Sequence, residues 1–278
     1  MLFTKMHGVG NDYVYVNTFT QHVTQPARLA VRVSDRFTGI GSDGLILLGP
    51  SAGADVRMEM YNADGSRGKM CGNGIRCVAK YAIEHGLAAG PELRVETDAG
   101  VKSVWCEIVC GKVRAVRVDM GLPVLAPDSV PVRLPGPSII DRPLEIAGRA
   151  YRITCVSMGN PHAVIFVKDL EAIDLPVVGP AFENAPQFPE RVNAHFVRVD
   201  SRAHVTVRTW ERGSGATRAC GTGACAVGVA GVLTNRTDRR VTTSLPGGDL
   251  EIEWPPESSV FMTGPAVEVF SGDWPDQG

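Results

Sequence analysis

Ala219-Cys220-Gly221-Thr222-Gly223 opens a run that carries no charge as far as Asn235, and Met70-Cys71-Gly72-Asn73-Gly74 opens a second helix-like run 149 positions earlier. The same offset carries Gly10-Asn11 onto Gly159-Asn160, Tyr61-Asn62 onto Trp210-Glu211, and Gly44 onto Asn193. Several landmarks agreeing on one register predict an internal duplication of about half the chain. The run after Cys220 is apolar on every side, so it must be enclosed on every side. It is shorter than the roughly 20 residues of a membrane span and contains four glycines, Gly221, Gly223, Gly228 and Gly231, so a helix buried inside the protein is expected.

Working outward, strand signals cover Phe3 to Asn17. A helix is expected from Pro26 to Arg36, with Thr24 as N-cap and Leu29, Ala30, Val33 and Phe37 as its apolar face. Strands follow at Leu45 to Leu48 and Val56 to Tyr61. The Cys71 helix carries an apolar stripe of Ile75, Val78, Ala79, Ala82 and Ile83, with Arg76, Lys80 and Glu84 assigned to the opposite face. Alternating runs at Leu93 to Thr97, Val101 to Ile108 and Val113 to Asp119 read as a meander. The Pro-rich segment Pro123 to Pro143 reads as a connection between domains. The second half repeats the order, with a short helix near Pro176 to Glu183 and a strand from His204 to Trp210. The strand-like tail is expected to return to the first domain. The expectation is an α/β (α+β) protein of two pseudo-symmetric domains, each a mixed β-sheet curled around a central α-helix. The domains are placed at 1–121, completed by 264–278, and 122–263.

At 278 residues the chain is long enough for two domains, and 44% hydrophobic with 21% charged residues is ordinary globular composition. Lys+Arg 28 against Asp+Glu 30 gives no electrostatic case for nucleic acid or an anionic membrane as partner. The first residues carry no secretion signal, so a cytoplasmic protein is expected. Seven cysteines then imply reduced thiols. No Cys-x-x-Cys pair occurs and the six histidines show no ligand spacing, so no metal is expected.

A cysteine that opens a helix sits beside N–H groups with no intrahelical acceptor and a partial positive charge. That setting favours a thiolate, and the flanking glycines let an anion reach the backbone. Two such starts facing one another would present two sulfurs and two sets of N–H donors, an arrangement suited to moving a proton through a carbon. Cys77, Cys106, Cys110, Cys155 and Cys225 lack this setting and read as core or strand residues. Asn11, Asn62, Asn73, Asn160 and Asn193 lie beside turns and read individually first as turn formers, with ligand contact as the other reading. His162 lies close to Asn160, and Glu211-Arg212 closes the strand before the Cys220 loop.

The stretches Lys5-Met6-His7-Gly8-Val9-Gly10-Asn11-Asp12, Asn62-Ala63-Asp64-Gly65-Ser66, Met70 to Arg76, Val156 to His162, Glu211-Arg212-Gly213 and Ala219 to Gly223 together resemble the diaminopimelate epimerases over nearly the full length. The resemblance implies the two-domain fold of that family. It also implies cofactor-independent conversion of LL-diaminopimelate to the meso form, serving lysine and peptidoglycan synthesis. It makes Cys71 and Cys220 the thiol and thiolate that serve opposite faces of the α-carbon, with Cys71 matching the donor and Cys220 the acceptor. His162 and Glu211 match the groups assisting proton transfer. Asn11, Asn62, Asn160, Asn193, Glu211 and Arg212 match residues that hold the substrate, and Gly72, Asn73, Gly221 and Thr222 match the anion-binding helix starts. Domain closure around the substrate and a homodimer are implied as well. Three positions depart from the pattern: Gly44 replaces a Gln found in some members, Ala216 a frequent Glu, and Phe270 a tyrosine placed at the dimer interface.

Related two-thiol racemases of proline, hydroxyproline or histidine are the nearest alternatives. Proline-type relatives usually carry His where Asn73 stands, and they need no grip on a second amino acid centre, so Asn73 and Arg212 argue against them. A non-catalytic amino-acid-binding protein would use the same helix starts but need neither cysteine. A thiol redox protein would use both cysteines as a disulfide, although easily oxidised thiolates make inactivation the more natural consequence.

Overall fold

A computed structural model describes residues 1–275, so the last three residues of the 264–278 segment lie outside the described residues. The chain divides into two compact units, one of Met1–Val118 with the residues from Thr263 onward, the other of Asp119–Met262. Among the described residues no helix is long and apolar enough to cross a membrane.

In the first unit β1 (Leu2–Gly8) and β2 (Asn11–Asn17) form a hairpin, and α1 (Pro26–Ser34) crosses over to β3 (Gly44–Gly49). β3 pairs parallel with β2 and antiparallel with β4 (Val56–Asn62), onto which the short β5 (Arg67–Gly68) folds. The central helix α2 (Gly72–Glu84) leads to the antiparallel meander β6 (Glu92–Thr97), β7 (Gly100–Val109) and β8 (Lys112–Gly121).

The second unit repeats this. β9 (Arg142–Ile146), β10 (Arg149–Ser157) and β11 (Pro161–Phe166) run antiparallel, and α3 (Leu175–Glu183) crosses to β12 (Asn193–Ser201), parallel to β11. Then come β13 (His204–Glu211), β14 (Gly215–Thr217), the central α4 (Gly221–Leu233), β15 (Arg240–Leu245) and β16 (Gly248–Glu253). β17 (Val260–Gly264) leads to β18 (Val267–Asp273), which lies antiparallel on β1 as β9 lies on β10.

The 149-residue offset survives at the level of single pairs: Val14 faces Leu45 as Ala163 faces Ala194, and Leu45 faces Tyr61 as Ala194 faces Trp210. Both central helices are 13 residues long, with Cys71 and Cys220 as their N-caps. α2 packs against β1, β2, β4, β6, β7 and β18, and α4 against β10, β11, β12, β15 and β16, so each sheet wraps its own helix. α1 and α3 cover the outer sheet faces through Ala30 and Val33 and through Leu175, Val178 and Phe182. The mixed sheet curled around a central helix, present twice, is the architecture expected from the sequence.

Four local expectations need correction. Gln25, not Thr24, is the N-cap of α1, and the helix stops at Ser34, which leaves Phe37 almost fully exposed in a turn capped by the Asp35 carboxylate. The segment 123–143 is no free linker, since Val130, Val132 and Ile139 are buried in the second core. Cys110 is exposed in the β7–β8 turn at φ 50°. Arg76 is fully buried rather than turned to solvent. Its guanidinium donates to Gly72 O at 3.0 Å, Asn73 Oδ1 at 3.0 Å and Pro265 O at 3.2 Å. Gly8 makes this possible, because a Cβ there would sit 2.8 Å from Arg76 Nη2. In α4 the equivalents of Arg76, Lys80 and Glu84 are Cys225, Val229 and Leu233, so only the second helix is apolar all round.

Replacing Arg76 by Met leaves buried acceptors at the α2 start and at Pro265 without their donor, a loss of roughly 2–3 kcal/mol. The expected outcome is a lower urea midpoint for Arg76→Met, while Arg114→Met on an exposed position of β8 stays within about 0.5 kcal/mol of the parent.

Candidate active site

In the first unit the β1–β2 turn runs through Val9 at φ 49° and Gly10 at φ 83°, the paired positive values of a tight hairpin turn. A β-branched residue seldom adopts that conformation, so Val9 is strained immediately before Asn11. Asn11 starts β2 opposite Gly8, the glycine packed against Arg76 and the Asn73 backbone. Its amide donates to Asp43 at 2.7 Å, and Arg36 bridges Asp43 and Asp12 at 2.9 and 2.8 Å. Lys5 closes this network on Asp12 at 2.7 Å and also donates to Gly41 O. The carbonyl of Asn11, thus aimed, accepts from the Cys71 thiol and from the Asn73 amide, both at 3.3 Å. Cys71 Sγ accepts in turn from the Gly74 N–H at 3.3 Å, as an N-cap side chain does. The Tyr13 hydroxyl also reaches this sulfur. Asn62 is held in its own turn, donating to Ser66 Oγ at 2.9 Å.

The second unit surrounds its cysteine differently. Cys220 is buried, with Thr222 Oγ1 3.7 Å from its sulfur and the Glu211 carboxylate in hydrogen-bond contact with it. Thr217 donates to Glu211 at 2.5 Å and fixes that carboxylate. Asn193 donates to Pro161 O at 2.9 Å and accepts from the Arg212 N–H at 2.9 Å, tying β11 to the end of β13. Arg212 sends its guanidinium to Glu190 O at 2.7 Å. Glu183 at the end of α3 anchors the loop, accepting from Trp210 Nε1 at 2.7 Å and from the Gly213 N–H at 2.9 Å. Asn160 Oδ1 lies 2.8 Å from His162 Nε2. A ring nitrogen of His162, one of His195 and Cys220 Sγ all lie within 4.8 Å of one another. These are ligand types that suit zinc, but every ring nitrogen of the two histidines is engaged in a hydrogen bond within the protein.

The electrostatics reverse one expectation. Burial pushes both thiols up, and the helix starts recover only part of the cost. For Cys71 burial outweighs the Gly74 and Asn73 N–H groups and the Arg76 charge. For Cys220 burial is joined by the negative charge of Glu211, which together outweigh the Gly223 N–H and Thr222. Both sulfurs therefore rest as thiols. Burial likewise drives His162 well below the usual imidazole range, helped by His195 and Arg212, so its ring is neutral.

Within the first unit the fold brings together Asn11, Cys71, Gly72 and Asn73, and within the second Asn160, His162, Asn193, Glu211, Arg212, Cys220, Gly221 and Thr222. Tyr13, Asp43, Glu183 and His195 escaped the sequence reading. For Tyr13 a signal existed, since it stands 149 positions before His162. The others are recognisable only by their partners in space.

The duplicated sheet-around-helix fold defines a class with known structures. A PhzF-family phenazine biosynthesis protein from Bacillus anthracis superposes with a TM-score of 0.71 at 16% identity, over 98% of both chains. A probable proline racemase from Agrobacterium radiobacter K84 gives a TM-score of 0.71 at 14% identity, over 99% of this chain and 93% of the other. Within that class the sequence is more specific. The diaminopimelate epimerase family profile matches residues 3–126 and 154–269. The diaminopimelate epimerase of Agathobacter rectalis is 54% identical over 98% of this chain and 99% of its own, and that of Acetivibrio thermocellus 52% identical over 98% of each. The chain belongs to the diaminopimelate epimerase family.

Removing the Glu211 charge takes away a cause that raises the Cys220 pKa. Alkylation by iodoacetamide, followed by peptide mass spectrometry across pH, is therefore expected to begin at lower pH for Cys220 in Glu211→Gln, with Cys71 unchanged. In the parent protein exposed Cys110 should label before either.

Proposed function

We propose that this chain epimerises LL-2,6-diaminopimelate to meso-diaminopimelate with its two capping cysteines and without a cofactor. The observation that carries the reading is the unequal proton inventory of two otherwise equivalent helix starts. Cys220 has a carboxylate acceptor, Glu211, so its thiol can be deprotonated locally and its sulfur can take the α-proton. Cys71 has a neutral acceptor, Asn11, and donors at Gly74 and Tyr13, which suits a thiol that releases a proton and is then stabilised as thiolate. One C–H bond breaks as an S–H bond forms at Cys220, and an S–H bond at Cys71 breaks as the new C–H bond forms on the opposite face. In the reverse direction the two sulfurs exchange roles.

The first-turn N–H groups at Gly72, Asn73, Gly221 and Thr222 are suited to hold the α-carboxylate, where negative charge grows as the carbanion forms. Asn11, Asn62, Asn160, Asn193, Glu211 and Arg212 supply the polar contacts proposed for the rest of the substrate. His162 is proposed to assist the proton on Cys220. The high family identity over the whole chain supports the substrate, and the retention of Asn73 and Arg212 is consistent with a substrate bearing two amino acid centres.

A homodimer is proposed through β18, where Val269 and Phe270 are about half exposed and Phe270 packs edge-on to Phe3. Sedimentation equilibrium of Phe270→Glu should show dissociation relative to the parent, and an unchanged dimer would remove β18 from the interface.

For the chemistry, the measurement is deuterium uptake at the α-carbon of LL-diaminopimelate in deuterium oxide without added cofactor. The parent is expected to form deuterated meso product. Cys71→Ser and Cys220→Ser are each expected to lose about 10²- to 10⁴-fold in epimerisation rate. Parent protein that is folded and reduced yet exchanges no deuterium would overturn the assignment.

A further inference from the structure

We infer that His195, braced by Thr209, is a positioning residue that holds His162 in a single tautomer beside Cys220. The inference rests on the role proposed for Cys220 and His162, but its structural basis is independent of the substrate.

The three side chains form an unbroken buried chain. Thr209 Oγ1 lies 2.9 Å from His195 Nδ1, His195 Nε2 lies 2.9 Å from His162 Nδ1, and His162 Nε2 lies 2.8 Å from Asn160 Oδ1. The direction of every proton follows from the last link. Asn160 faces His162 with its carbonyl, so His162 carries its proton on Nε2, and because a side-chain amide can present either end, the Nε2–H of His195 at His162 Nδ1 is needed to keep that tautomer. His162 Nδ1 is then a bare acceptor and takes the Nε2–H of His195. That leaves His195 Nδ1 bare, to accept the Thr209 hydroxyl. In this arrangement both rings are neutral, and a proton added at His162 Nδ1 would meet the Nε2–H of His195 until His195 moved its own proton to Nδ1, facing the Thr209 hydroxyl. Burial acts in the same direction, lowering His195 to about 3.

The repeat supplies the control. His195 and Thr209 stand directly opposite each other across β12 and β13, as Ile46 and Met60 do across β3 and β4. The His195 ring also packs on Gly223 of the α4 first turn, where a Cβ would meet its Cε1 at 2.2 Å. Ile46 does the same on Gly74, where a Cβ would meet its Cδ1 at 2.7 Å. The fold therefore accepts an aliphatic residue at this place. Filling it instead with polar groups that are fully or almost fully buried stabilises nothing by itself, since such groups must recover their desolvation through hydrogen bonds. What the polar pair adds is a defined proton position on His162, which the Cys71 half, with Tyr13 in the matching place, does not require.

The test uses the full chain with 15N-labelled histidine, in the parent, His195→Ile, Thr209→Val and His195→Gln, whose amide can still donate to His162. Parent His162, assigned by loss of its signal in His162→Gln, is expected to show one proton, on Nε2. In His195→Ile the two-bond 15N–1H couplings should report a mixture of tautomers. Its kcat should fall about 10- to 100-fold, with KM within about twofold and a urea midpoint close to the parent. Thr209→Val should give the same tautomer change in weaker form, and His195→Gln should restore most of the rate. An unchanged His162 tautomer in His195→Ile and Thr209→Val overturns the inference whatever happens to the rate, and so does an unchanged kcat in His195→Ile. If the parent does not turn over diaminopimelate, the proposed function falls, while the tautomer measurement still decides the part played by His195.

Discussion

The unpaired N–H groups of two buried helix starts are the constraint around which each unit is organised. A helix end cannot be buried without partners for these groups, and α2 and α4 both begin inside their sheets. At α2 the Cys71 sulfur meets part of the need, accepting the Gly74 N–H as a weak acceptor that can also gain or lose a proton. The residues behind each cysteine are small for a related reason. Gly74 and Gly223 receive Ile46 and His195 on their open sides, which lets the central helix lie close against the sheet. Glycine lowers intrinsic helix stability by roughly 1 kcal/mol per residue, so these helices depend on enclosure rather than on propensity.

Duplication built two equal scaffolds, and substitution made them unequal. Tyr13 and His162, Ile46 and His195, Met60 and Thr209, Asn62 and Glu211 occupy matching positions. In the first unit most of these choices are apolar or neutral, and a buried Arg76 supplies positive charge near Cys71. In the second the matching helix position is Cys225, and the charge acting on Cys220 is the negative one of Glu211. The same backbone therefore presents one sulfur in a setting that tolerates a thiolate and another beside a group that can accept its proton. Such a division suits a reaction in which a proton leaves one side of a carbon and another arrives on the opposite side.

Burial decides the resting state of both sulfurs. Helix N–H groups pull a thiol toward ionisation, but they act on atoms already removed from water, and the desolvation of a thiolate outweighs them. A dry environment also strengthens every fixed dipole around the charge that develops during reaction. The same burial that keeps the thiols protonated at rest thus makes the surrounding donors effective once charge forms.

The duplication, the two cysteine-led helices, the sheet around each and the glycines and polar residues flanking each cysteine were legible in the sequence. Each depends on spacing along the chain: a repeat offset, a helical or alternating period, or glycine beside cysteine. The α1 N-cap, the burial of Arg76 and the packing of residues 123–143 were not legible, because each depends on what lies opposite. Arg76 reads as a solvent-facing charge until Gly8 and Pro265 are seen to leave room and acceptors for it. His195 reads as an ordinary strand residue until β11 and β13 bring His162 and Thr209 to either side of its ring. Sequence alone determined which residue types could hold and move a proton, since that is intrinsic to sulfur, imidazole and carboxylate. Tertiary structure alone decided where the proton rests, because desolvation and hydrogen-bond direction arise only when separate strands are brought together.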